Sequence, residues 1–269
     1  MSISFSKMNS SGNDFILIDN RGGVFAPSPS VVKKICARRT GVGADGILLL
    51  EKSAGQDFKM RIINADGSEA EMCGNGAGCI AKFAYSLGIC KEETIFETLA
   101  GPIWAQIKED QVKLKMRDPF DLNLRQDLDG GEIHFVNTGV PHTVIIGDDI
   151  EKIDVVNLGR QIRHHPRFQP AGTNVNFIRV LDKGSIKIRT YERGVEDETL
   201  ACGTGSVAGA IISSLLGFTQ SPIFVKTRSG EIKTVYFDLV GQEIKDVYLE
   251  GKVNFVYEGG LTDDFYQSI

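Results

Sequence analysis

Apolar and polar residues along the chain follow two periodicities, which together predict a mixture of strands and helices. Short runs that alternate or are continuously apolar predict strands over residues 14–19, 46–51, 58–63, 94–97, 103–108, 112–116, 143–146, 176–180, 185–190, 223–226, 232–238 and 245–250. Helical spacing predicts a helix over 30–39 capped by Ser30, one that follows Cys73 and ends near Gly88, and one that follows Cys202. The last is apolar on nearly every side, which is typical of a buried helix. We therefore expect a central helix in each half of the chain, wrapped by strands.

A short cysteine-glycine signature occurs twice in the chain. Cys-Gly-x-Gly stands at residues 73–76 and again at 202–205, 129 positions later. At that offset further residues agree, among them Glu69 with Glu198 and Ala81 with Ala210. This duplication predicts an α/β (mixed α+β) fold of two pseudo-symmetric domains, each a barrel-like strand layer around a central helix, with the active site in the cleft between them. The predicted domains are residues 1–118, completed by 254–269, and residues 119–253, with the boundary at Pro119.

Composition and charge narrow the class of protein. A net charge of −5, with 42% hydrophobic and 24% charged residues, is ordinary for a globular protein and gives no reason to expect nucleic-acid binding. The first residues lack the layout of a signal peptide, and no apolar stretch reaches the length of a membrane span, so we expect a cytoplasmic protein without membrane partners. Five cysteines, no Cys-x-x-Cys and four histidines away from ligand spacing favour neither a disulfide scaffold nor a metal site.

The signature suits acid–base chemistry at a carbon atom. A cysteine at the start of a helix lies beside unpaired N–H groups and the positive end of the helix dipole, so its pKa is expected to fall below about 8.5. The glycines leave the same N–H groups open to a substrate carboxylate. One copy would be a weak signal, because a lone buried cysteine is more often a core residue. Two copies in register predict one thiolate that removes an α-proton and one thiol that returns a proton to the opposite face, without a cofactor.

Several motifs in chain order resemble the diaminopimelate epimerases. They are residues 8–15 (MNSSGNDF), 40–45 (TGVGAD), 64–69 (NADGSE) with the first cysteine signature, and Glu192-Arg193 leading to the second. The resemblance runs from about residue 5 to the end of the chain. It implies cofactor-free interconversion of LL- and meso-diaminopimelate in lysine and cell-wall precursor synthesis, a small amino-acid substrate and a homodimer.

The resemblance also implies roles for particular residues. Cys73 and Cys202 correspond to the acid/base pair, with His142 and Glu192 assisting them. The substrate-binding positions of the family correspond to Asn13, Asn64, Gly74, Asn75, Asn174, Glu192, Arg193, Gly203 and Thr204. Taken singly, His142 would be a structural histidine, Arg193 a surface ion-pair partner and the asparagines turn residues. The resemblance implies no metal ligand. Which cysteine acts as base in which direction stays open.

Three positions depart from the family pattern. Val140 stands where many members have a substrate-binding asparagine, Gly46 where glutamine is frequent, and Gly78 where arginine is frequent. These departures leave the reaction centre intact but remove polar groups that could bind the far end of the substrate. Two alternatives therefore stay open: a racemase or isomerase of the same fold that acts on another amino acid or small acid, and a thiol redox sensor or binding protein that switches through a disulfide between Cys73 and Cys202.

Overall fold

The computed structural model describes residues 2–241 and 243–267 of the chain. Met1, Gln242, Ser268 and Ile269, which fall inside the predicted domain ranges, lie outside the described residues. The fold is mixed α/β, and its backbone contacts divide it into two compact units. One unit runs up to Leu114 and resumes at Gly251; the other is Lys115–Glu250. No helix in the part of the chain that the structure describes is both long and apolar enough to cross a membrane.

The first unit contains eight strands before the chain leaves it. They are β1 (Ile3–Ser10), β2 (Asn13–Asp19), β3 (Gly46–Glu51), β4 (Lys59–Asn64), β5 (Glu69–Ala70), β6 (Glu93–Thr98), β7 (Gly101–Lys108) and β8 (Gln111–Lys115). Its two helices here are α1 (Pro29–Cys36) and α2 (Gly74–Ser86). Strand β2 lies between antiparallel β1 and parallel β3, and β3 pairs antiparallel with β4. Nine of the residues of α2 are buried, which is typical of a helix in the interior of a fold.

The second unit repeats this arrangement. Its strands are β9 (Phe120–Leu128), β10 (Gly131–Asn137), β11 (Pro141–Ile146), β12 (Asn174–Asp182), β13 (Ser185–Glu192), β14 (Asp197–Thr199), β15 (Ile223–Lys226), β16 (Ile232–Val240) and β17 (Glu243–Lys252). Its α-helices are α3 (Val155–Arg163) and α4 (Gly203–Leu215), and single-turn 3-10 helices cover Ile150–Lys152 and Pro166–Phe168. The apolar residues of α4 pack against side chains from β10 to β13 and from β15 to β17, which explains why this helix is apolar on nearly every side.

The chain then returns to the first unit with β18 (Asn254–Leu261) and the short helix α5 (Asp263–Gln267). Strand β18 pairs antiparallel with β1, as β9 does with β10. The parallel pairs also correspond: β2 with β3 and β4 with β6 in one unit, and β11 with β12 and β13 with β15 in the other. The duplication in the sequence is thus accompanied by the same series of strand pairings in each unit.

Most predicted elements are present, with shifted ends, and some were missed. Strands β3 and β15 have the predicted bounds. Helix α1 is shorter than predicted, because the chain turns back over its last turn at Gly41, where a Cβ would overlap the Lys34 carbonyl oxygen. Ser28, and not Ser30, is its N-cap and accepts a hydrogen bond from the Val31 N–H. Elements without a sequence prediction include β1, β9, β10, β18 and α3.

Candidate active site

Cys73 is the N-cap residue of α2, so the first-turn N–H groups of the helix begin directly after it. The backbone of Cys73 is extended (φ −145°, ψ 120°), and its side chain is half-buried. A Cβ added at Gly74 would have no neighbour within 4 Å, so this glycine leaves open space beside the helix end. Cys73 thus stands at the start of a helix, as the sequence predicts, and carboxylate binding by the N–H groups there stays a prediction.

Asn75 and Asn13 form a hydrogen-bonded pair in the first unit. Nδ2 of Asn75 donates to Oδ1 of Asn13 (2.8 Å), and Nδ2 of Asn13 donates to Oδ2 of Asp45 (3.0 Å). Asp45 also accepts from the backbone N–H of Asp14 (3.2 Å). Asn13 is therefore joined directly to the first turn of α2, and Asp45 fixes which end of its amide faces that turn. The sequence analysis did not single out Asp45.

A cluster of charges supports this pair. Arg38 binds both Asp14 (2.8 Å) and Asp45 (2.7 Å), and the buried Lys7 lies 2.7 Å from Asp14. Burial alone would raise the pKa of Asp14, but hydrogen bonds and charges from Arg38 and Lys7 outweigh it and hold the pKa below its usual value. The Asp14 carboxylate thus stays ionised and keeps accepting hydrogen bonds.

Asn64, a predicted substrate-binding residue, and Gly46, a departure from the family pattern, lie opposite each other on β4 and β3. Asn64 is exposed at the end of β4 and donates to Ser68 Oγ (3.0 Å) within its own turn. Gly46 pairs with Asn64, and a Cβ at Gly46 would lie 2.6 Å from the Ile63 carbonyl oxygen. Because the Ile63 carbonyl oxygen belongs to the backbone, any side chain at position 46 would require strand β4 to shift.

Cys202 occupies the corresponding N-cap position of α4 but has a different environment. Its Sγ accepts from the Gly205 N–H (3.4 Å) and lies 3.5 Å from Thr204 Oγ1. Cys202 is buried, and burial, reinforced by the nearby Glu192 carboxylate, raises the pKa of its thiol to about 12. The expected lowering by the helix N-terminus is therefore wrong for Cys202 in this state, since loss of hydration outweighs the N–H groups.

Thr138 holds the loop beside this helix end. Its hydroxyl donates to the Thr204 carbonyl oxygen (3.1 Å), and its side chain is buried. Gly203, like Gly74, is half-buried at the first helical position, where a Cβ would come within 3.1 Å of Leu249. The backbone N–H groups of Gly203 and Thr204 are thereby fixed in place at the start of α4.

His142 is completely buried in β11. Its Nδ1 lies 3.0 Å from Nδ2 of Asn176, whereas its Nε2 has no hydrogen-bond partner among the described residues. Burial, and secondarily the positive charge of Arg193, lowers the pKa of His142 to about 3. The ring is therefore uncharged. Asn176 was not predicted as a site residue; a polar residue inside an apolar strand was the signal that could have identified it.

Asn174 and Arg193 lie close to His142. In the parallel pairing of β11 with β12, Asn174 stands opposite His142. Its Oδ1 accepts from the Arg193 N–H (2.9 Å), and its Nδ2 donates to the Pro141 carbonyl oxygen (3.0 Å). The guanidinium of Arg193 donates to Ala171 O (3.0 Å), and burial raises the pKa of Glu192.

Other candidate sites in the described residues are few. No group of three or more His, Cys, Asp or Glu side chains in residues 2–241 and 243–267 could hold a metal ion. A cavity of about 340 Å³ in the second unit is lined by residues of β10, β11 and α3, including Ile133, Ile145 and Ile162. It contains none of the predicted site residues. Most of the predicted site residues lie at or beside the N-termini of α2 and α4.

Comparison with solved structures defines the fold first. The chain superposes on a PhzF-family phenazine biosynthesis protein of Bacillus anthracis with a TM-score of 0.73, 16% identity and coverage of 97% of this chain and 99% of the other. It also superposes on a hydroxyproline epimerase from Agrobacterium vitis, with a TM-score of 0.68, 17% identity and coverage of 98% and 93%. At these identities the likeness shows a shared fold.

Sequence comparison then gives the family. The diaminopimelate epimerase family model matches residues 5–120 and 134–256. A diaminopimelate epimerase of Aquifex aeolicus is 46% identical to this chain over 97% of its length and 98% of the relative's. The chain belongs to the diaminopimelate epimerase family.

Proposed function

We propose that this protein is a diaminopimelate epimerase, a cytoplasmic isomerase that interconverts LL- and meso-diaminopimelate by a two-base mechanism. Family membership supports the reaction and its substrate. The observation that carries the mechanism is that Cys73 and Cys202 are the N-cap residues of two helices that begin with the same Gly-x-Gly sequence. We also propose that each unit is the barrel-like strand layer predicted from the sequence. The homodimer that the resemblance implies stays a prediction.

In this mechanism one sulfur, as thiolate, removes the α-proton, and the other, as thiol, delivers a proton to the opposite face of the same carbon. The raised pKa of Cys202 favours its thiol form in the resting protein, so we propose Cys202 as the proton donor and Cys73 as the base in the first turnover. Proton delivery leaves Cys202 as the thiolate, ready to remove the proton in the reverse direction. The proton count balances, since one S–H forms as the other is consumed.

The helix N-termini would bind the substrate carboxylate next to the reacting carbon. The N–H groups of Gly74-Asn75 and Gly203-Thr204 would stabilise the negative charge that develops on this carboxylate during proton removal. We propose that the remainder of the substrate is bound by five side chains: Asn13, Asn64, Asn174, Glu192 and Arg193. Arg193 suits the distal carboxylate, because its guanidinium can make two parallel hydrogen bonds to it.

The experiment is incubation of LL-diaminopimelate with reduced protein in D₂O. We expect meso product with one deuterium at the inverted α-carbon, detected by NMR and mass spectrometry. Cys73→Ala and Cys202→Ala should each lose about 10²–10⁴-fold in rate, the range that a positioned acid or base contributes. Cys90→Ser, at another half-buried cysteine, is the matched control and should retain activity. Absence of exchange with the reduced, folded wild-type protein would refute the proposal.

Val140 supports a second candidate, a racemase of the same fold with a different substrate. Valine is half-buried at this position and cannot supply the amide that many family members offer to the distal end of diaminopimelate. A chiral assay across amino acids distinguishes the two functions. Faster turnover of a substrate that lacks the distal amino and carboxyl groups would favour this candidate over diaminopimelate epimerase.

A further inference from the structure

We propose that Asn176 is a positioning residue that holds His142 as the uncharged tautomer with its proton on Nε2, so that His142 serves the reaction as a hydrogen-bond donor and not as a proton acceptor. The catalytic part of this inference rests on the proposed function. The assignment of the tautomer rests on hydrogen-bond geometry alone.

The orientation of the Asn176 amide is determined by its neighbours. Its Nδ2 lies 3.1 Å from the carbonyl oxygen of Thr143, which can only accept a hydrogen bond. Its Oδ1 lies 3.0 Å from the hydroxyl of Thr190, which donates to it. Turning the amide over would place two oxygen atoms against each other in a fully buried location. The N–H₂ end of Asn176 therefore faces Thr143.

The same Nδ2 is 3.0 Å from Nδ1 of His142. Because Nδ2 is a donor, Nδ1 has to accept, and a neutral imidazole with an accepting Nδ1 carries its proton on Nε2. The doubly protonated ring would present an N–H to the N–H₂ group of Asn176, which cannot accept it. Burial and the positive charge of Arg193 disfavour the charged ring as well. His142 consequently presents a fixed Nε2–H.

This N–H is buried and has no partner among the described residues. Asn176 itself touches the first turn of α4: a Cβ on Gly205 would lie 2.5 Å from Asn176 Oδ1 and 3.3 Å from Cys202 Sγ. The unpartnered donor belongs to a ring whose other nitrogen is hydrogen-bonded to Asn176, and Asn176 lies against the helix turn that begins after Cys202. A buried donor without an acceptor is unfavourable. We therefore infer that the Nε2–H of His142 donates to an acceptor present only during the reaction, either a substrate carboxylate oxygen or a thiolate.

The tautomer is measured directly by NMR of wild-type protein labelled with ¹⁵N-histidine, with the His142 signals assigned from the spectrum of His142→Gln. At neutral pH we expect Nδ1 to resonate as an unprotonated ring nitrogen and Nε2 as a protonated one. A protonated Nδ1, in either the other tautomer or the imidazolium, overturns the proposal. This readout needs no turnover, so it fails or succeeds independently of the proposed function.

Two variants distinguish a positioning role of Asn176 from a purely structural one. Asn176→Leu removes the donor to Nδ1; we expect mixed tautomers and a kcat for diaminopimelate epimerisation about 10- to 100-fold lower, with a KM within about threefold of wild type. Thr190→Val removes the hydrogen bond at the other end of the same amide, and the His142 nitrogen shifts should stay as in wild type. Equal loss of kcat in both variants with unchanged His142 signals in Asn176→Leu would overturn the proposal. Should Asn176→Leu fail to fold, the wild-type spectrum still decides.

Discussion

Replacing Gly205 by alanine should damage the site, whereas the same change at Gly76 should not. The two glycines occupy the same place in the duplicated Cys-Gly-x-Gly signature, at the third helical position of α4 and α2. A Cβ at Gly205 would lie 2.5 Å from Asn176 Oδ1 and 3.3 Å from Cys202 Sγ. A Cβ at Gly76 would instead meet the end of the Leu48 side chain at 3.3 Å. One contact is with a hydrogen-bonded amide and a sulfur, and the other with a methyl group that can move.

The size of the effect follows from these distances. Ordinary contact begins near 3.4 Å, so Asn176 or the first turn of α4 has to move by about 0.9 Å. Overpacking of this kind costs about 1–3 kcal/mol, while alanine in place of glycine in a helix gains about 1 kcal/mol, which leaves Gly205→Ala about 0–2 kcal/mol less stable. A displacement of about 1 Å at a catalytic group can cost about 10²-fold in rate. Gly76→Ala keeps most of the helix gain and should be neutral or slightly stabilising.

Deuterium incorporation from D₂O into diaminopimelate measures the rate, and urea unfolding followed by circular dichroism measures stability. We expect Gly205→Ala to lose about 10- to 100-fold in kcat even where it remains folded, and Gly76→Ala to stay close to wild type. If the two variants are equally active and equally stable, the contact between the first turn of α4 and Asn176 does not shape the site.

Three further predictions concern single groups. Because the pKa of Cys202 is raised to about 12, iodoacetamide should label it at neutral pH more slowly than it labels glutathione; equal rates, measured on the tryptic peptide, would contradict the burial argument. The unfolded chain protonates His142 near its ordinary pKa of 6.5 and the folded protein only near 3, so the free energy of unfolding should decrease as pH falls through this window, by up to about 1.4 kcal/mol per pH unit. His142→Gln should flatten that slope in urea titrations, and an unchanged slope would assign it to other groups. Asp45→Asn, which disturbs the acceptor of Asn13, should raise KM for diaminopimelate more than it lowers kcat, whereas Asp19→Asn, at an ion pair with Arg21, should change neither.

The elements that the sequence predicts well are those whose burial is visible in the local pattern. Strand β3 is a continuous apolar run between glycine and a charged residue, and all but its last residue are buried. Strand β9 is exposed along most of its length, so no apolar face indicates it, and its pairing with β10 holds it in place. Strand β18 contains Gly259 and Gly260 and forms through pairing with β1, at the other end of the chain. The hydrophobic pattern of a short segment does not show which distant segment it pairs with.

The same limit applies to the candidate site. Two cysteines at helix starts can be inferred from the duplicated signature, because the glycines and the apolar helix follow directly in sequence. The contact between Asn176 and His142 depends on the register of β12 beside β11 and on the amide orientation that Thr143 imposes. At Cys202, burial raises the thiol pKa, and hydrogen bonds at the helix N-terminus lower it. Burial has the larger effect, and the sequence alone does not show how deeply the surrounding strands bury this sulfur.

Both copies of the signature begin a helix, but the side chains that pack behind the two helix starts differ in polarity. Behind α2 the first turn packs on the aliphatic side chains of Leu48 and Ile62, whereas behind α4 it packs on the amide of Asn176. Cys73 is half-buried, and Cys202 is buried beside Glu192. A two-base epimerase needs one thiol and one thiolate at the start of each turnover, and two identical environments would not specify which sulfur holds the proton. The raised pKa of Cys202 favours the thiol form of that sulfur, so the proposed mechanism places the proton of the resting protein on the second copy, while the N–H groups of both helix ends are proposed to bind the carboxylate.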